Sequence, residues 1–435
     1  MMYIDNILFA VILFAGIAFF TKNVKKLTRN IKLGRDINRS DNPSERWKNM
    51  AMIALGQSKM VKRPIAGFLH IIVYVGFVVI NLEVLEIIID GLFGTHRIFS
   101  FLGGFYGLLI GSFEILAVLV LVAVIVFWIR RNVISLKRFV SSDLKGWPKK
   151  DADTILYFEI VLMSLFLIMN ATDSHFQDMN SGNIISNHVA SWFTAFNKSQ
   201  LHLIERATWW MHIIGILIFL NYLYFSKHLH ILLAFPNTYF ADLNPKGQFD
   251  NLESVTKEVK LMMDPNADPF AAQPVDENAV PSKFGASDVM DLNWVQLLNA
   301  YTCTECGRCT SSCPANQTGK KLSPRKIMMD TRDRLEEVGR NIDKNKGVFV
   351  PDNVSLLNNY ISAEELWACT SCNACVEECP VNISPLSIIM DMRRFLVMEQ
   401  SAAPQSLNAM MTNIENNGAP WQYNQQDRLN WKNEN

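Results

Sequence analysis

Five long apolar segments in the first half of the chain restrict its fold more than any other feature. A helix needs about 20 apolar residues to cross the hydrocarbon core of a bilayer, and within lipid only helices and closed barrels satisfy their backbone hydrogen bonds. The sequence therefore predicts an all-α protein, a five-helix transmembrane bundle at residues 1–233 followed by an α-helical soluble part. The segments are Ile4–Phe20, Ile65–Leu92, Phe105–Trp128, Thr154–Ala171 and Ala207–Phe225.

Basic residues in the connections between these segments predict their orientation. The stretch Lys22–Arg63 contains 12 Lys or Arg, and Arg130–Lys150 contains 7. By contrast, Phe93–Gly104 contains one and Thr172–Arg206 contains two. Connections rich in Lys and Arg stay on the cytoplasmic side. We therefore expect a protein of the bacterial cytoplasmic (inner) membrane, with its N-terminus outside and all residues after the fifth segment in the cytoplasm.

Eight cysteines form two copies of one motif in the second half of the chain. The motif is C-x2-C-x2-C-x3-C-P, the run found in two-cluster ferredoxins, whose fourth cysteine binds the other cluster. The copies read Cys303-Thr-Glu-Cys306-Gly-Arg-Cys309-Thr-Ser-Ser-Cys313-Pro314 and Cys369-Thr-Ser-Cys372-Asn-Ala-Cys375-Val-Glu-Glu-Cys379-Pro380.

This motif predicts two [4Fe-4S] clusters whose ligands are exchanged between the copies. The ligands form set A (Cys303, Cys306, Cys309 and Cys379) and set B (Cys369, Cys372, Cys375 and Cys313). A structural zinc site also uses paired C-x2-C but needs only four ligands, so the duplicated run disfavours zinc. Thiolates that remain free to bind metal imply a reducing compartment, in agreement with the predicted cytoplasmic side.

The remaining sequence predicts how the soluble part is divided. Pro, Asp, Asn and Lys become frequent after the fifth segment, which predicts an extended linker at residues 234–290. A two-cluster helical ferredoxin domain is expected at residues 291–400, because the motifs are farther apart than in small β-rich ferredoxins. A polar tail follows at residues 401–435. Predicted helices are Leu252–Met263, Val289–Tyr301, Pro324–Leu335 and Pro385–Gln400.

Histidines near the ends of two apolar segments are candidate haem ligands. His212 and His230 are 18 residues apart, or about five helical turns. One continuous helix would present both on one face, about 27 Å apart along its axis. His70 lies near the cytoplasmic end of the second segment, at the depth of His230. We predict that His70 and His230 are the axial ligands of an inner haem b, because bis-histidine haem needs imidazoles on facing helices.

A second, outer haem b at His212 lacks an obvious second ligand. The open choices belong to the outer connection: His175, His188 and His202. His228 and His96 are better explained as interfacial residues whose polar tips reach water.

Four carboxylates within apolar segments are also informative, because charge is costly in lipid. They are compatible with proton transfer to or from a quinone. The alternative is that they pair with Ser, Asn or His side chains inside the bundle, and the sequence does not choose between these roles. The residues are Glu83, Glu86, Glu114 and Glu159.

The stretches Trp294–Arg325 and Leu366–Arg394 resemble the iron–sulfur region of membrane-bound electron-transfer-flavoprotein:menaquinone oxidoreductases. The C subunit of heterodisulfide reductase has the same cluster arrangement. The membrane half is similar to the gamma subunit of respiratory nitrate reductase, in which the fifth helix carries two haem-ligating histidines. The sequence Phe225-Ser-Lys-His-Leu-His230 matches the end of that helix.

Two departures from these families are visible, and the two motifs also differ from each other at one position. The outer histidine of the second helix is replaced by Ile80. The cysteine-rich CCG domains that follow the clusters in flavoprotein-linked members are not found before Asn435, so we expect a separate CCG-domain iron–sulfur subunit. In the second motif, Asn373 stands where the first has Gly307. Asn tolerates left-handed backbone nearly as well as Gly, so we expect the loop to keep its shape.

Together these features predict a subunit of a quinone-linked oxidoreductase. The resemblance implies electron-transfer flavoprotein as the donor and menaquinone in the lipid bilayer as the acceptor. Two alternatives stay open: a docking subunit that binds no quinone and anchors a soluble CCG-type reductase, and a quinol-oxidising subunit that works in the opposite direction. The formal net charge is zero, so nothing suggests a nucleic acid partner.

Overall fold

The computed structural model describes residues 2–266, 283–422 and 424–433. Within these ranges the regular structure is helical, and strand-like pairing is limited to two isolated bridges, Arg35 with Asn293 and Leu357 with Ile361. The all-α prediction is therefore confirmed.

Five helices in the first half are long and apolar enough to cross a membrane, as predicted. They extend beyond the apolar segments because their polar ends continue with favourable helix residues, as at Lys22–Arg29 in the first helix. The fifth begins with a capping box in which the side chains and backbones of Asn197 and Gln200 bond reciprocally. The helices are α1 (Met2–Ile31), α3 (Pro64–Phe93), α4 (Gly104–Asn132), α5 (Trp147–Thr172) and α8 (Lys198–Tyr222).

Shorter helices occupy the connections of the membrane half. They are α2 (Pro43–Met50), which continues into a π-helical turn at Ala51–Leu55, α6 (Ser174–Asp178), α7 (Ser186–Ala190) and α9 (His230–Tyr239).

The fifth membrane helix does not continue to His230. Helix α8 ends at Tyr222 and is followed by two 3₁₀ turns, Leu223–Phe225 and Lys227–Leu229. Between them Ser226 is extended, and its hydroxyl accepts a hydrogen bond from the backbone N–H of His228. The expectation that one straight helix presents His212 and His230 on the same face is therefore wrong. The side-chain bond of Ser226 competes with the helical hydrogen bonds at this point.

The membrane helices close into a ring. Each packs on two others in the order α1, α3, α4, α5, α8 and back to α1. Glycines permit the closest approaches, since a Cβ on Gly76 would lie 2.5 Å from Val120 Cγ2 and one on Gly91 would lie 2.6 Å from the Phe9 ring. Small residues of this kind allow helix backbones to pack tightly in membranes.

The soluble half is a cluster of helices around the two cysteine motifs. The predicted helix at Leu252–Met263 is observed from Glu253 to Met263, and those beginning at Pro324 and Pro385 are also observed. The prediction of one helix at Val289–Tyr301 is wrong in its first part: Val289–Asp291 forms a 3₁₀ turn, and the α-helix begins only at Trp294, after the extended residue Asn293. The central part of the predicted linker, residues 267–282, lies outside the described residues. The helices are α10 (Glu253–Met263), α11 (Trp294–Thr302), α12 (Arg308–Ser311), α13 (Pro314–Gln317), α14 (Pro324–Lys344), α15 (Leu356–Asn359), α16 (Ala363–Trp367), α17 (Ala374–Glu378), α18 (Pro385–Met398) and α19 (Gln405–Asn417).

The soluble half packs directly on the basic connections of the membrane half. Arg325, which is 1% exposed, forms an ion pair of 2.7 Å with Asp143 in the connection between α4 and α5. The Asn30 amide at the end of α1 donates a hydrogen bond of 2.9 Å to the Tyr301 hydroxyl. These contacts place the first cysteine motif against the end of the bundle that carries the basic connections.

Candidate functional site

The two cysteine motifs adopt the same backbone conformation. Each has two left-handed residues at matching positions, Glu305 (φ 54°) and Gly307 (φ 72°) in the first, Ser371 (φ 55°) and Asn373 (φ 59°) in the second. The left-handed conformation of Asn373 agrees with the expectation from its alignment with Gly307. Glu305 and Ser371 carried no such signal in the sequence, because neither residue type favours this conformation.

Backbone N–H groups in these loops point at cysteine sulfurs. The N–H of Ser371 donates to Cys369 Sγ at 3.4 Å, and that of Ile383 donates to Cys379 Sγ at 3.3 Å. Hydrogen bonds to the sulfurs are one of the ways in which a protein adjusts an iron–sulfur cluster. The loops therefore suit the thiolate ligands of a cluster that gains negative charge on reduction.

The four cysteines of set A, together with Cys375, border a cavity in the soluble half. Cys379, from the second motif, thus lies with the three leading cysteines of the first, as exchanged ligation requires. Burial raises the pKa of Cys379 to about 11, and the neighbouring Cys306 thiolate acts in the same direction.

The residues of set B are also close to one another. Burial raises the pKa of Cys375 to about 12, and the thiolates of Cys369, Cys313 and Cys372 act in the same direction. Cys313, from the first motif, is therefore a neighbour of the three leading cysteines of the second. Cys372 is exposed, whereas each member of set A is at least half-buried.

Within the described ranges, no group of three or more His, Cys, Asp or Glu side chains is arranged to hold a single metal ion. The sulfurs of set A surround a cavity instead. An inorganic cluster with one iron per thiolate fits this arrangement.

Set A faces the membrane half. The Arg308 guanidinium donates hydrogen bonds to the Lys59 carbonyl at 3.2 Å and to Met60 Sδ at 3.0 Å, just before the start of α3. Glu305 is 5% exposed and pairs with Lys227, in the connection after α8, and with Arg332 at 2.9 Å. Two membrane helices are thus anchored beside the same cysteine loop.

Three histidine rings lie close together at this end of the bundle. The His228 and His230 ring centroids are 5.4 Å apart, and His70 lies within electrostatic range of His230. Burial lowers the pKa of His228 to about 3, and positive charge on His230 and His70 acts in the same direction. His228 is half-buried, and the helix break after Tyr222 places its ring beside that of His230. Its interfacial assignment stays a prediction.

His230 and His70 differ in their hydrogen bonding. His230 Nδ1 is 3.1 Å from the Lys227 carbonyl, so a proton on Nδ1 leaves Nε2 available to a metal. His70 Nδ1 is buried and has no hydrogen-bond partner in the described part of the chain. A buried imidazole nitrogen without a partner is costly, which fits a residue that binds a cofactor. These residues fit the predicted inner haem.

His212 is buried in α8 at 2% exposure and packs on Phe166 of α5, with ring centroids 6.2 Å apart. Its Nδ1 also has no hydrogen-bond partner among the described residues. The three histidines considered as its second ligand are placed elsewhere. The ring centroid of His175 is 5.4 Å from that of His96, the side chain of His202 is 74% exposed, and His188 is exposed.

The carboxylates in the bundle have different environments. Glu114 accepts hydrogen bonds from Asn170 and from the backbone N–H groups of Ile185 and Ser186, so it holds the outer connection in place.

Glu86 accepts from the Tyr106 hydroxyl and from the Phe99 N–H. Glu159 is half-buried in α5. Of these four carboxylates, only Glu83 has a buried oxygen, Oε2, that forms no hydrogen bond within the described ranges.

A polar cavity of about 240 Å³ lies at the opposite end of the bundle from the cysteines. Glu83, Glu205 and Trp209 border it, together with Arg97, which is 6% exposed and pairs with Asp173 at 2.7 Å. The sequence did not predict this cavity, although Arg97 is the single basic residue of a short apolar connection.

Comparison with known proteins agrees with the iron–sulfur assignment. A family model described as a 4Fe-4S dicluster domain matches residues 299–383. No solved structure matches the chain.

Curated relatives cover both halves. The chain is 29% identical over 99% of its length to the probable iron-sulfur-binding oxidoreductase FadF of Bacillus subtilis, covering 61% of that protein. It is 26% identical over 94% of its length to the EtfAB:quinone oxidoreductase of Syntrophomonas wolfei, covering 57% of it. Over 36% of its length it is 32% identical to a probable membrane-anchored ferredoxin of Chromohalobacter salexigens. The chain thus spans about three fifths of the length of the first two of these relatives.

Proposed function

We propose that this chain is a membrane electron-transfer subunit that passes electrons between a cytoplasmic redox partner and menaquinone. Sets A and B each hold a [4Fe-4S] cluster, and His70 and His230 hold a haem b. The clusters and the haem supply one-electron chemistry. The chain supplies their ligands, their spacing and their electrostatic surroundings.

The iron–sulfur part rests on the convergence of each set of four cysteines and on the dicluster domain at residues 299–383. The relatives named as an iron–sulfur oxidoreductase and as an EtfAB:quinone oxidoreductase support an oxidoreductase role. They also motivate the proposed partners: an electron-transfer flavoprotein, reached through a CCG-domain subunit, and a membrane quinone. The basic connections support a bacterial cytoplasmic membrane with the clusters inside.

The proximity of His70 and His230 to set A is the observation that carries the haem proposal. Arg308, which borders the set A cavity, lies within electrostatic range of His70. Lys227, whose carbonyl faces His230 Nδ1, also pairs with Glu305 of the set A loop. A haem b held by the two histidines would be next to the cluster of set A.

The test is the visible spectrum of the purified full-length chain in detergent, oxidised and dithionite-reduced. We expect the spectrum of a low-spin b-type haem. His70→Ala and His230→Ala should each abolish it, because one imidazole is then missing, and iron–sulfur content should be retained. His228→Asn is the matched control, since its ring lies beside His230 and it should keep the haem.

A spectrum without haem in the unmodified protein would overturn the haem proposal and leave the iron–sulfur proposal intact. Loss of haem in His228→Asn with retention in His230→Ala would show that the ligand has been misassigned. Addition of menaquinol or menaquinone to the reconstituted protein, monitored in the same spectrum, tests exchange with the quinone. Absence of any exchange would argue against the quinone role.

A further inference from the structure

The two cysteine sets have very different charged surroundings. Beside set A, Arg308 is 3% exposed and borders the sulfur-lined cavity. Its guanidinium donates to the Lys59 carbonyl and to Met60 Sδ. In the part of the chain that the structure describes, no carboxylate pairs with it. A desolvated cation with only neutral acceptors retains its full electrostatic effect on neighbouring groups.

Arg138 is a second such cation. Its Nε is buried without a hydrogen-bond partner in the described ranges, and its guanidinium packs on the Phe139 ring at 4.8 Å. A Cβ on Gly307 would lie 3.0 Å from the Arg138 carbonyl oxygen and 3.6 Å from Arg138 Cβ, and Arg308 is the next residue of the same loop. Both cations therefore lie beside the loop that carries Cys306 and Cys309 of set A.

Several other charged groups near set A are compensated. Arg63 pairs with Glu378 at 2.9 Å, and Arg325 pairs with Asp143 at 2.7 Å. Glu305 is matched by two cations, as described above. Lys59 lies near Cys379, and its ammonium donates to the Val376 carbonyl at 3.5 Å. The excess positive charge at set A therefore comes from Arg138 and Arg308, with a further contribution from Lys59.

Among the described residues, set B has a single cation of this kind. Arg393 donates to the carbonyls of Leu366 and Cys369. Burial lowers its pKa, and the Cys369 thiolate is the opposing influence. Cys372 of this set is exposed, so water screens the charge at set B more strongly than at set A.

We propose that Arg308 and Arg138 make set A the more readily reduced of the two [4Fe-4S] sites, so that electrons entering at the exposed set B are drawn towards the membrane. Reduction adds negative charge to a cluster, and nearby positive charge stabilises the reduced form. Burial of set A opposes this, because low polarity disfavours the more highly charged state. The same low polarity strengthens the attraction between the cluster and the two uncompensated guanidinium groups. We expect this attraction to outweigh the cost of burial. This inference rests on the proposed function only in that both sets hold clusters.

The test is a redox titration of the full-length protein in detergent, followed by electron paramagnetic resonance. Arg308→Gln and Arg138→Gln should each lower the potential of the same cluster signal, and Arg393→Gln should lower that of the other. A tenfold fall in the ratio of reduced to oxidised cluster at fixed potential corresponds to about 59 mV for a one-electron couple, and we expect at least this shift for the double variant Arg308→Gln/Arg138→Gln. Arg308→Lys keeps the charge and should restore most of the potential.

In the unmodified protein, the signal that responds to Arg308 should have the higher potential. The opposite order would overturn the inference, and so would potentials that do not respond to Arg308 and Arg138. A shift in Arg308→Gln that Arg308→Lys does not restore would assign the effect to local structure and would also overturn it. The paramagnetic resonance signals of the clusters do not depend on haem or quinone. Failure of the haem proposal therefore leaves this test unaffected.

Discussion

At the scale of single residues, each of the two cysteine loops contains a residue with a side chain whose backbone is left-handed, a conformation that such residues normally avoid. Left-handed backbone costs about 1–2 kcal/mol for a residue with a Cβ, yet Glu305 and Ser371 both adopt it. Strain of this kind persists where surrounding contacts fix the conformation, and it is frequent at functional sites. Here it allows N–H groups to approach the sulfurs.

Gly307→Ala tests how closely the membrane half packs on the set A loop. The new Cβ would lie 2.6 Å from Arg325 Nη1 and 3.0 Å from the Arg138 carbonyl oxygen, at φ +72°. We expect a lower thermal midpoint and reduced iron content, because backbone strain costs about 1–2 kcal/mol and overpacking costs about 1–3 kcal/mol.

Gly319→Ala is the control for strain alone. Gly319 has φ +81° and no atom within 4 Å of the new Cβ, so only the conformational cost should appear. Equal midpoints for the two variants would contradict close packing at Gly307.

At the scale of elements, glycines decide how closely the membrane helices approach one another. Gly91 of α3 faces the ring of Phe9 in α1. Trp209 and Trp210 of α8 also pack on the Phe9 ring, with centroid distances of 5.4 Å and 6.0 Å. Three helices of the ring therefore meet at one residue without a side chain.

Gly91→Ala should destabilise this contact. The Cβ would lie 2.6–2.7 Å from three atoms of the Phe9 ring, and overpacking of this kind costs about 1–3 kcal/mol. We expect a lower thermal midpoint in detergent, and Phe9→Leu in the same background should recover part of it. Gly104→Ala, with no atom near its Cβ, should be neutral or slightly stabilising. A midpoint for Gly91→Ala equal to that of Gly104→Ala would refute the contact.

At the scale of the whole molecule, the attachment of the soluble half to the bundle determines whether the cysteines of set A stay next to His70 and His230. Buried polar contacts, such as Arg325 with Asp143, lie next to set A, whereas the pair of Asp343 with Lys26 is about one third exposed. Buried pairs are costly to break and exposed pairs contribute little. The attachment should therefore be most sensitive close to set A.

Asp143→Ala should weaken this attachment strongly. It leaves Arg325 buried without its carboxylate, a loss of about 3–5 kcal/mol. The free energy of unfolding, measured in denaturant through the iron–sulfur absorbance, should fall accordingly.

Asp343→Ala removes an exposed carboxylate that pairs with Lys26 at 2.8 Å and should cost no more than about 1 kcal/mol. If the two variants lost the same stability, the Asp143 contact would not be a principal attachment.

The sequence alone determined the features that depend on short-range patterns. The five membrane helices follow from continuous apolar length, since lipid leaves the backbone no other partners. The prediction of exchanged cysteine ligands follows from the spacing of two motifs, and Cys379 does border one cavity with the leading cysteines of the first motif. The left-handed Asn373 follows from its alignment with Gly307. Each of these is set by residues close together in the chain or by repetition of one motif.

Only the tertiary structure decided the features that depend on distant residues. A helical periodicity of 3.6 residues predicted that His230 lies on the same helix as His212. In the structure that helix ends at Tyr222, and the His228 N–H donates a hydrogen bond to Ser226 just after the break. The same break brings His228 beside His230. The unpaired cations at set A and the outer cavity around Glu83 arise where separate helices converge. Burial and charge there are sums over residues far apart in the chain, which no local pattern records.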